Sequence, residues 1–215
     1  MRASIASRWL IAGTRKEIRQ LMEAEVGAGT ARETLARTQR RFSEICRELP
    51  RVGSLLNPLS IILIWASWCL ALYLVLAESG RSAEWVGERI LQAFERQLRS
   101  YPRLLTSLLN RVWFSRLNAR VVRRWCNASQ ARPVPGGWSA RFVERDGTRF
   151  DLGMDYTSCG ICTLFTRYQA AALAPYMCQT DPIMSGVLGH QLSRTKTLAE
   201  GGVCCDFRYS ATLRD

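Results

Sequence analysis

The stretch WSARFVERDGTRFDLGMDY, residues 138–156, decides the fold class of this chain. Apolar and polar residues alternate on both sides of Asp146-Gly147, a pair typical of tight turns between antiparallel strands. Phe142 and Leu152 can both face the core only if the turn has an odd number of residues. We therefore predict a β-hairpin with the three-residue loop Asp146-Gly147-Thr148, in which Gly147 is left-handed.

A second alternating segment lies further along the chain. Residues 192–198 and 203–209 predict another hairpin, which turns at residues 199–202. With a four-residue loop, one strand face would carry a polar set: Thr195, Thr197, Cys204, Asp206 and Arg208. Cys205 and Phe207 would share the opposite face. Residues 159–189 between the hairpins have helical spacing and are expected to break near Pro175 or Pro182.

The region before residue 131 has the spacing of helices. Thr14 and Thr30 are each followed three residues later by Glu, a pattern typical of helix starts. Residues 58–77 contain no charged side chain and are about long enough to span a bilayer. A core helix surrounded by other helices has the same composition, so both interpretations stay open.

Residues 102–125 predict one basic amphipathic helix with an arginine-rich side. Its apolar side holds Leu105, Leu108, Leu109, Val112, Trp113, Leu117, Val121 and Trp125. Solvation of the arginine side is the ordinary explanation for such a helix. Docking on a membrane or on a partner is the alternative.

These patterns predict an α+β fold, with an N-terminal helical part packed on a C-terminal β-hairpin–helix–β-hairpin sheet. The expected division is a helical region at residues 1–130, a linker at 131–137 rich in Pro and Gly, and an α+β domain with cysteines at 138–215.

The chain carries 30 Lys and Arg against 18 Asp and Glu, a net charge of +12. The basic residues are scattered and not interleaved with aromatic ones, so we expect no nucleic-acid partner. The first apolar run, in MRASIASRWLIAG, is too short for a cleavable signal peptide. We therefore expect reduced thiols and a cytoplasmic location, with membrane association through residues 58–77 as the alternative. A homo-oligomer is left open.

Four of the eight cysteines form two close pairs, Cys159-x-x-Cys162 and Cys204-Cys205. Adjacent strand residues point to opposite faces, so this is not the spacing of a structural zinc site, and we expect no metal and no cofactor. Buried inert thiols, a disulfide or redox pair, and a catalytic thiol are the other interpretations. Cys159 precedes a predicted helix, whose N-terminus favours a thiolate, and Cys178 lies three residues before Asp181.

Three segments, YTSCGI at 156–161, LAPYMCQTD at 173–181 and RTKTLAEGGVCCDFRY at 194–209, together resemble the L-2-amino-thiazoline-4-carboxylic acid hydrolase family. The order of an Asn-Pro start, an apolar helix, a Gly break and an amphipathic helix upstream is also similar to that family. The likeness covers roughly residues 50–210. It implies a fold in which the apolar helix belongs to a soluble protein, and a reaction that opens a cyclic isothiourea to give N-carbamoyl-cysteine.

That reaction needs a nucleophile, a proton donor for the leaving sulfur and a cation for the substrate carboxylate. The candidate catalytic residues are Cys159, Cys178, Asp181, Cys205 and Asp206. The candidate residues for binding a small anionic substrate are Arg194, Thr195, Thr197, Arg208 and His190. Each has a structural alternative: Asp181 can cap a helix, Asp206 can pair with Arg208, and the single histidine can be structural.

Two other classes of function compete with the hydrolase. One is a small-molecule-binding or biosynthetic accessory protein of the same fold that does not catalyse a reaction. The other is a protein attached to the membrane by residues 58–77. Loss of activity in a single Cys→Ser variant would favour the enzyme, and dependence on detergent would favour membrane attachment.

Overall fold

The computed structural model describes residues 4–52, 57–145 and 150–211. The helices are α1 (Ile5–Val26), α2 (Ala28–Glu48), α3 (Pro58–Ala77), α4 (Ala83–Arg99), α5 (Arg103–Trp113), α6 (Arg116–Ala131), α7 (Gly160–Arg167), α8 (Ala174–Cys178) and α9 (Thr180–Leu188). The strands are β1 (Ser139–Val143), β2 (Leu152–Ser158), β3 (Gln191–Ser193) and β4 (Cys205–Ser210). The α+β class predicted from the sequence is confirmed.

The chain divides into two compact units. The helical unit comprises Met1–Gln97 and Ile161–Met177. The sheet unit comprises Leu98–Gly160 and Cys178–Asp215. All ten residues predicted to form a functional site belong to the sheet unit.

Helix α3 lies at the centre of the helical unit, where it packs against α1 and α2. It has the predicted bounds, because Asn57 accepts a hydrogen bond from the Leu59 amide and Pro58 follows at the first helical position. By length and composition alone α3 could cross a membrane, with a mean hydropathy of 2.3. However, 72% of its apolar window is buried, as expected for a core helix.

The two helix starts predicted at threonines are wrong. Helix α1 begins at Ile5, and Thr14 lies buried in its interior. There the Thr14 hydroxyl donates to Oε1 of Gln97 and accepts from the indole N–H of Trp65, both at 2.9 Å. Thr30 lies inside α2, which begins at Ala28 after Gly27 in a positive-φ conformation.

The sheet is antiparallel throughout, with the strand order β1-β2-β4-β3. In the first hairpin Phe142 lies opposite Met154, so even-numbered residues face even-numbered ones as predicted. The register differs by two residues from the prediction, because a three-residue loop at Asp146–Thr148 would place Phe142 opposite Leu152. The predicted loop at Asp146–Thr148 lies outside the described residues. Strand β4 pairs with β2 on its other side, and Met154 lies opposite Phe207.

The second hairpin has the predicted register but shorter strands. Leu192 lies opposite Tyr209, which is the pairing that a four-residue loop at 199–202 would give. The ladder nevertheless stops at Ser193, and residues 194–204 form a connection with one 3-10 turn at Leu198–Glu200. The connection replaces the strand because its polar groups bond to the side chains of Asp206 and Thr197 instead of to a ladder.

The helical segment between the hairpins is broken twice. Gln169 has a φ of 55°, and the break that it makes after α7 lies several residues before Pro175. The second break, at Gln179, precedes Pro182, which sits in the first turn of α9. A left-handed Gly189 ends α9 and leads into β3.

The single helix predicted for residues 102–125 is two helices, because Phe114 and Ser115 interrupt it and the Ser115 side chain caps α6. Its apolar residues do not share one buried side either. Trp113 and Trp125 pack against the sheet core, whose buried members include Met154, Phe207 and Tyr209. The other six are exposed: Leu105, Leu108, Leu109, Val112, Leu117 and Val121.

Candidate functional site

Five candidate residues from separate segments come together on the face of β4 that carries Phe207. They form the thiol cluster, which is Cys159, Cys178, Asp181, Arg194 and Cys205. Cys159 follows β2, Cys178 ends α8, Asp181 lies in the first turn of α9, Arg194 follows β3 and Cys205 begins β4. The charged forms of Cys159 and Asp181 each raise the pKa of both other thiols, which places all these groups within electrostatic reach of one another.

An ion pair lies at the centre of the thiol cluster. Nη1 of Arg194 lies 2.8 Å from Oδ2 of Asp181, and Nη2 donates to the carbonyl of Cys178 at 3.0 Å. The guanidinium also lies over the Phe207 ring, 5.0 Å from its centroid. The Arg194 side chain is 12% exposed and that of Asp181 is 28% exposed, so the ion pair is partly open to solvent.

Burial raises the pKa of Asp181 to about 6, although the charge and hydrogen bond of Arg194 oppose the rise. A carboxylate with a pKa just below neutral is suited to accept a proton, because it is ionised at pH 7 and still basic. The alternative that Asp181 caps a helix is wrong, because α9 begins at Thr180 after Gln179 and Asp181 lies in its first turn, where its carboxylate forms this ion pair.

The thiols of Cys178 and Cys205 have raised pKa values. Burial, followed by the charge of Asp181, raises the pKa of Cys178 to about 12. Burial raises the pKa of Cys205 to about 11, although its sulfur accepts a hydrogen bond from the Leu198 amide at 3.1 Å. Both side chains are therefore neutral thiols near neutral pH and not nucleophilic thiolates.

Asp206 holds the connection before β4 in place. Its Oδ1 accepts from the amides of Thr195 and Lys196 at 3.0 and 2.9 Å, and its Oδ2 accepts from the Thr195 hydroxyl at 2.6 Å. Burial opposes ionisation, but these hydrogen bonds dominate and lower the pKa of Asp206. The predicted strand face does not form at Thr195, which follows β3, and its amide and hydroxyl bind the Asp206 carboxylate instead.

Arg208 lies on the opposite face of β4 from Arg194. Its Nη1 lies 2.9 Å from Oδ1 of Asp155, and its guanidinium lies over the ring of Phe150 at 5.3 Å. The structure therefore does not bring Arg194 and Arg208 together around one ligand. The partner of Arg208 is Asp155, not Asp206.

Thr197 and His190 both have structural contacts. The Thr197 hydroxyl donates to Oε2 of Glu200 at 2.6 Å and caps the 3-10 turn. Nδ1 of His190 lies 3.1 Å from Oδ1 of Asn110, and its ring packs edge-on against Phe114 and Tyr209. Burial lowers the pKa of His190, so the ring is neutral at pH 7.

Two tyrosines at the thiol cluster were missed in the sequence. Tyr156 lies opposite Cys205, and its pKa is raised by burial and then by the charges of neighbours that include Asp181 and Cys159. Burial, then Asp181, likewise raises the pKa of Tyr209. The alternation of β2 and β4 assigns both tyrosines to the face of Met154 and Phe207. The alternation alone does not predict that β2 and β4 are neighbours in the sheet.

The eight cysteines, all in the described part of the chain, are thiols. Within residues 4–52, 57–145 and 150–211, no group of three or more His, Cys, Asp or Glu side chains is placed to hold a metal ion. Two surface cavities of about 560 and 520 Å³ lie in the helical unit, and neither is lined by a residue of the thiol cluster.

The family model described as L-2-amino-thiazoline-4-carboxylic acid hydrolase matches residues 63–209, about two thirds of the chain. The match spans both hairpins and every residue of the thiol cluster. No curated protein and no solved structure matches the chain significantly.

Proposed function

The chain belongs to the L-2-amino-thiazoline-4-carboxylic acid hydrolase family, and we propose that its thiol cluster hydrolyses a small cyclic isothiourea. The substrate that the family description suggests is L-2-amino-thiazoline-4-carboxylate, and the product would be N-carbamoyl-cysteine. The observation that carries the proposal is the Asp181–Arg194 ion pair, which is partly exposed and lies within electrostatic reach of Cys178 and Cys205.

In the proposed reaction one water molecule adds to the ring carbon that bears the amino group. The bond from this carbon to the ring sulfur then breaks, and the electron pair leaves with the sulfur, which is protonated to a thiol. The carbon keeps both nitrogens and becomes the carbonyl of a urea. The step consumes one water and needs a base, an acid and no redox partner.

Asp181 is the base in this proposal. Its pKa of about 6 leaves it ionised at neutral pH, and its position on Arg194 fixes the direction of its oxygens. Asp206 is the weaker candidate, because three hydrogen bonds occupy its carboxylate and its pKa is lowered. Arg194 supplies the cation for the substrate carboxylate, where a guanidinium can bind both oxygens.

Asp181, protonated once it has taken the proton from water, would pass it to the leaving sulfur, and Cys178 or Cys205 would donate a hydrogen bond to that sulfur as a neutral thiol. Both thiols are protonated at neutral pH, and Arg194 lies close enough to lower the pKa of each. Cys159 completes the cluster from the end of β2. The raised thiol pKa values also favour one rival, a site of the same fold that binds a small molecule without turning it over.

The test is to incubate the purified full-length protein with L-2-amino-thiazoline-4-carboxylate and to measure N-carbamoyl-cysteine by mass spectrometry. Wild type is compared with Cys159→Ser, Cys178→Ser, Cys205→Ser and Asp181→Asn, and Cys204→Ser is the matched control beside β4. Turnover that is lost in Asp181→Asn and in one of the three thiol variants, but kept in Cys204→Ser, supports the proposal. Binding of the substrate by calorimetry without product would support the rival and overturn the enzyme.

A further inference from the structure

Helix α5 turns its apolar side to the solvent. Leu104 is 84% exposed, Leu108 57% and Val112 55%, and Leu105 and Leu109 are exposed as well. These five positions recur at helical spacing, so they form one stripe along α5. An exposed stripe of large aliphatic side chains is uncommon on a protein that has no partner for it.

The inner side of α5 carries polar side chains. Thr106 is buried, and Asn110 is partly buried with its side chain against His190 and the Gly189 carbonyl. Trp113 is the apolar residue that α5 contributes to the sheet core. In a helix that only covers a core, the apolar side chains face inward. In α5 most of the apolar side chains face the solvent and the polar Thr106 and Asn110 face inward.

Helix α6 also exposes apolar side chains. Leu117 is 69% exposed and Val121 is 57% exposed. Arg116, Arg120 and Arg124 lie on the exposed side of the same helix. We call this surface the α5–α6 face, made of the aliphatic residues Leu104, Leu105, Leu108, Leu109, Val112, Leu117 and Val121 with the arginines Arg103, Arg111, Arg116, Arg120 and Arg124.

The charged side chains of the two helices themselves have one sign. From residue 96 to residue 143 the sequence contains ten arginines and neither Asp nor Glu. A second copy of the chain on the same face would bring these arginines together, and like charges in contact oppose association. A nucleic acid would need stacking partners, and the exposed large side chains here are Leu and Val.

We propose that the α5–α6 face docks on an anionic lipid bilayer. Leu and Val side chains beside arginines are the composition of helices that lie in a membrane interface, where the aliphatic groups enter the acyl boundary and the cations meet lipid phosphates. This contact needs no membrane-spanning segment, and it is separate from the buried α3. The proposal does not depend on the hydrolase activity.

The experiment is co-sedimentation of the full-length protein with vesicles of phosphatidylcholine alone or of equal parts phosphatidylcholine and phosphatidylglycerol. Wild type should bind the anionic vesicles and release them as salt rises, because salt screens the arginine contacts. Leu104→Glu/Leu108→Glu should weaken binding at least about tenfold. Arg116→Gln/Arg120→Gln/Arg124→Gln should weaken it on the order of a hundredfold.

Val203→Glu is the matched control, because Val203 is 83% exposed in the same unit but lies outside both helices. It should bind like wild type, and thermal melts should show that all variants stay folded. The proposal is overturned if wild type does not bind anionic vesicles at low salt, or if both α5–α6 variants bind them as well as wild type does. Equal binding to uncharged vesicles would implicate α3 instead, and a dimer that only the leucine variant dissociates would make a second copy the occupant.

Discussion

Arg194 and Asp181 form a 2.8 Å ion pair that joins the segment after β3 to the first turn of α9. The Arg194 side chain also donates a hydrogen bond to the backbone carbonyl of Cys178, and Asp181 is held in position by helix α9. The pair thus links three segments of the sheet unit, which are the end of α8, the first turn of α9 and the residue after β3. Its two charges are opposite to those of the proposed substrate, which carries an amidine-like ring and a carboxylate.

Activity should depend on the ionisation of Asp181. Because its pKa is raised to about 6, kcat/KM should fall about tenfold per pH unit below that value, as the base becomes protonated. Asp181→Asn should lower kcat by roughly a hundredfold or more. It should also remove the fall of kcat/KM at low pH, which is the acid limb of the pH–rate profile. The measurement is a pH–rate profile of both proteins. An unchanged limb in Asp181→Asn would assign it to another group.

Removing the charge of Arg194 should move that acid limb. Arg194 lowers the pKa of Asp181, so Arg194→Gln should shift the limb to higher pH and also raise KM, because the carboxylate anchor is lost. Arg208→Gln is the control, since Arg208 lies on the other face and pairs with Asp155. A rise in KM in Arg208→Gln as large as in Arg194→Gln would show that Arg208 binds substrate.

Asp206→Ala should destabilise the sheet unit. It leaves two amides and a hydroxyl without their acceptor, at a cost of about 1–2 kcal/mol, so the melting temperature should fall by roughly 2–8 °C. Since the folded-state pKa of Asp206 is lowered, wild type should keep this stability above the ordinary pKa and lose it in more acidic solution. Thermal melts over a pH series compare the two proteins. An unchanged melting temperature would mean that water replaces the carboxylate.

His190 should make the protein sensitive to acid without taking part in catalysis. Burial lowers its folded-state pKa, so the unfolded chain binds more protons as pH falls below about 6.5 and stability drops there. His190→Gln should reduce this drop and keep its kcat near that of wild type. Parallel melts and rate assays test this. A kcat that falls more than about tenfold would give His190 a chemical role.

The local patterns were predictable from the sequence. The bounds of α3 follow from the Asn57-Pro58 start and the uncharged run, and the parity of the first hairpin follows from the alternation about Asp146-Gly147. The register of the second hairpin was also predictable, because the turn residues set which positions are opposed.

The tertiary environment of single residues was not predictable. Thr14 has the sequence of a helix cap, but Gln97 and Trp65 supply its partners from distant segments. Periodicity separates the two sides of α5 and does not say which side faces inward. Likewise, the thiols of Cys178 and Cys205 can be recognised by type, whereas their raised pKa values come from burial beside Asp181.

The strand order has a consequence for how the protein is made. The β1–β2 hairpin closes locally, but the central β2–β4 ladder joins segments with roughly fifty residues between them, and closing so long a loop is slow and entropically costly. During synthesis on the ribosome, Cys159 emerges well before Cys205. The thiol cluster therefore stays without Cys205 until β4 has docked on β2.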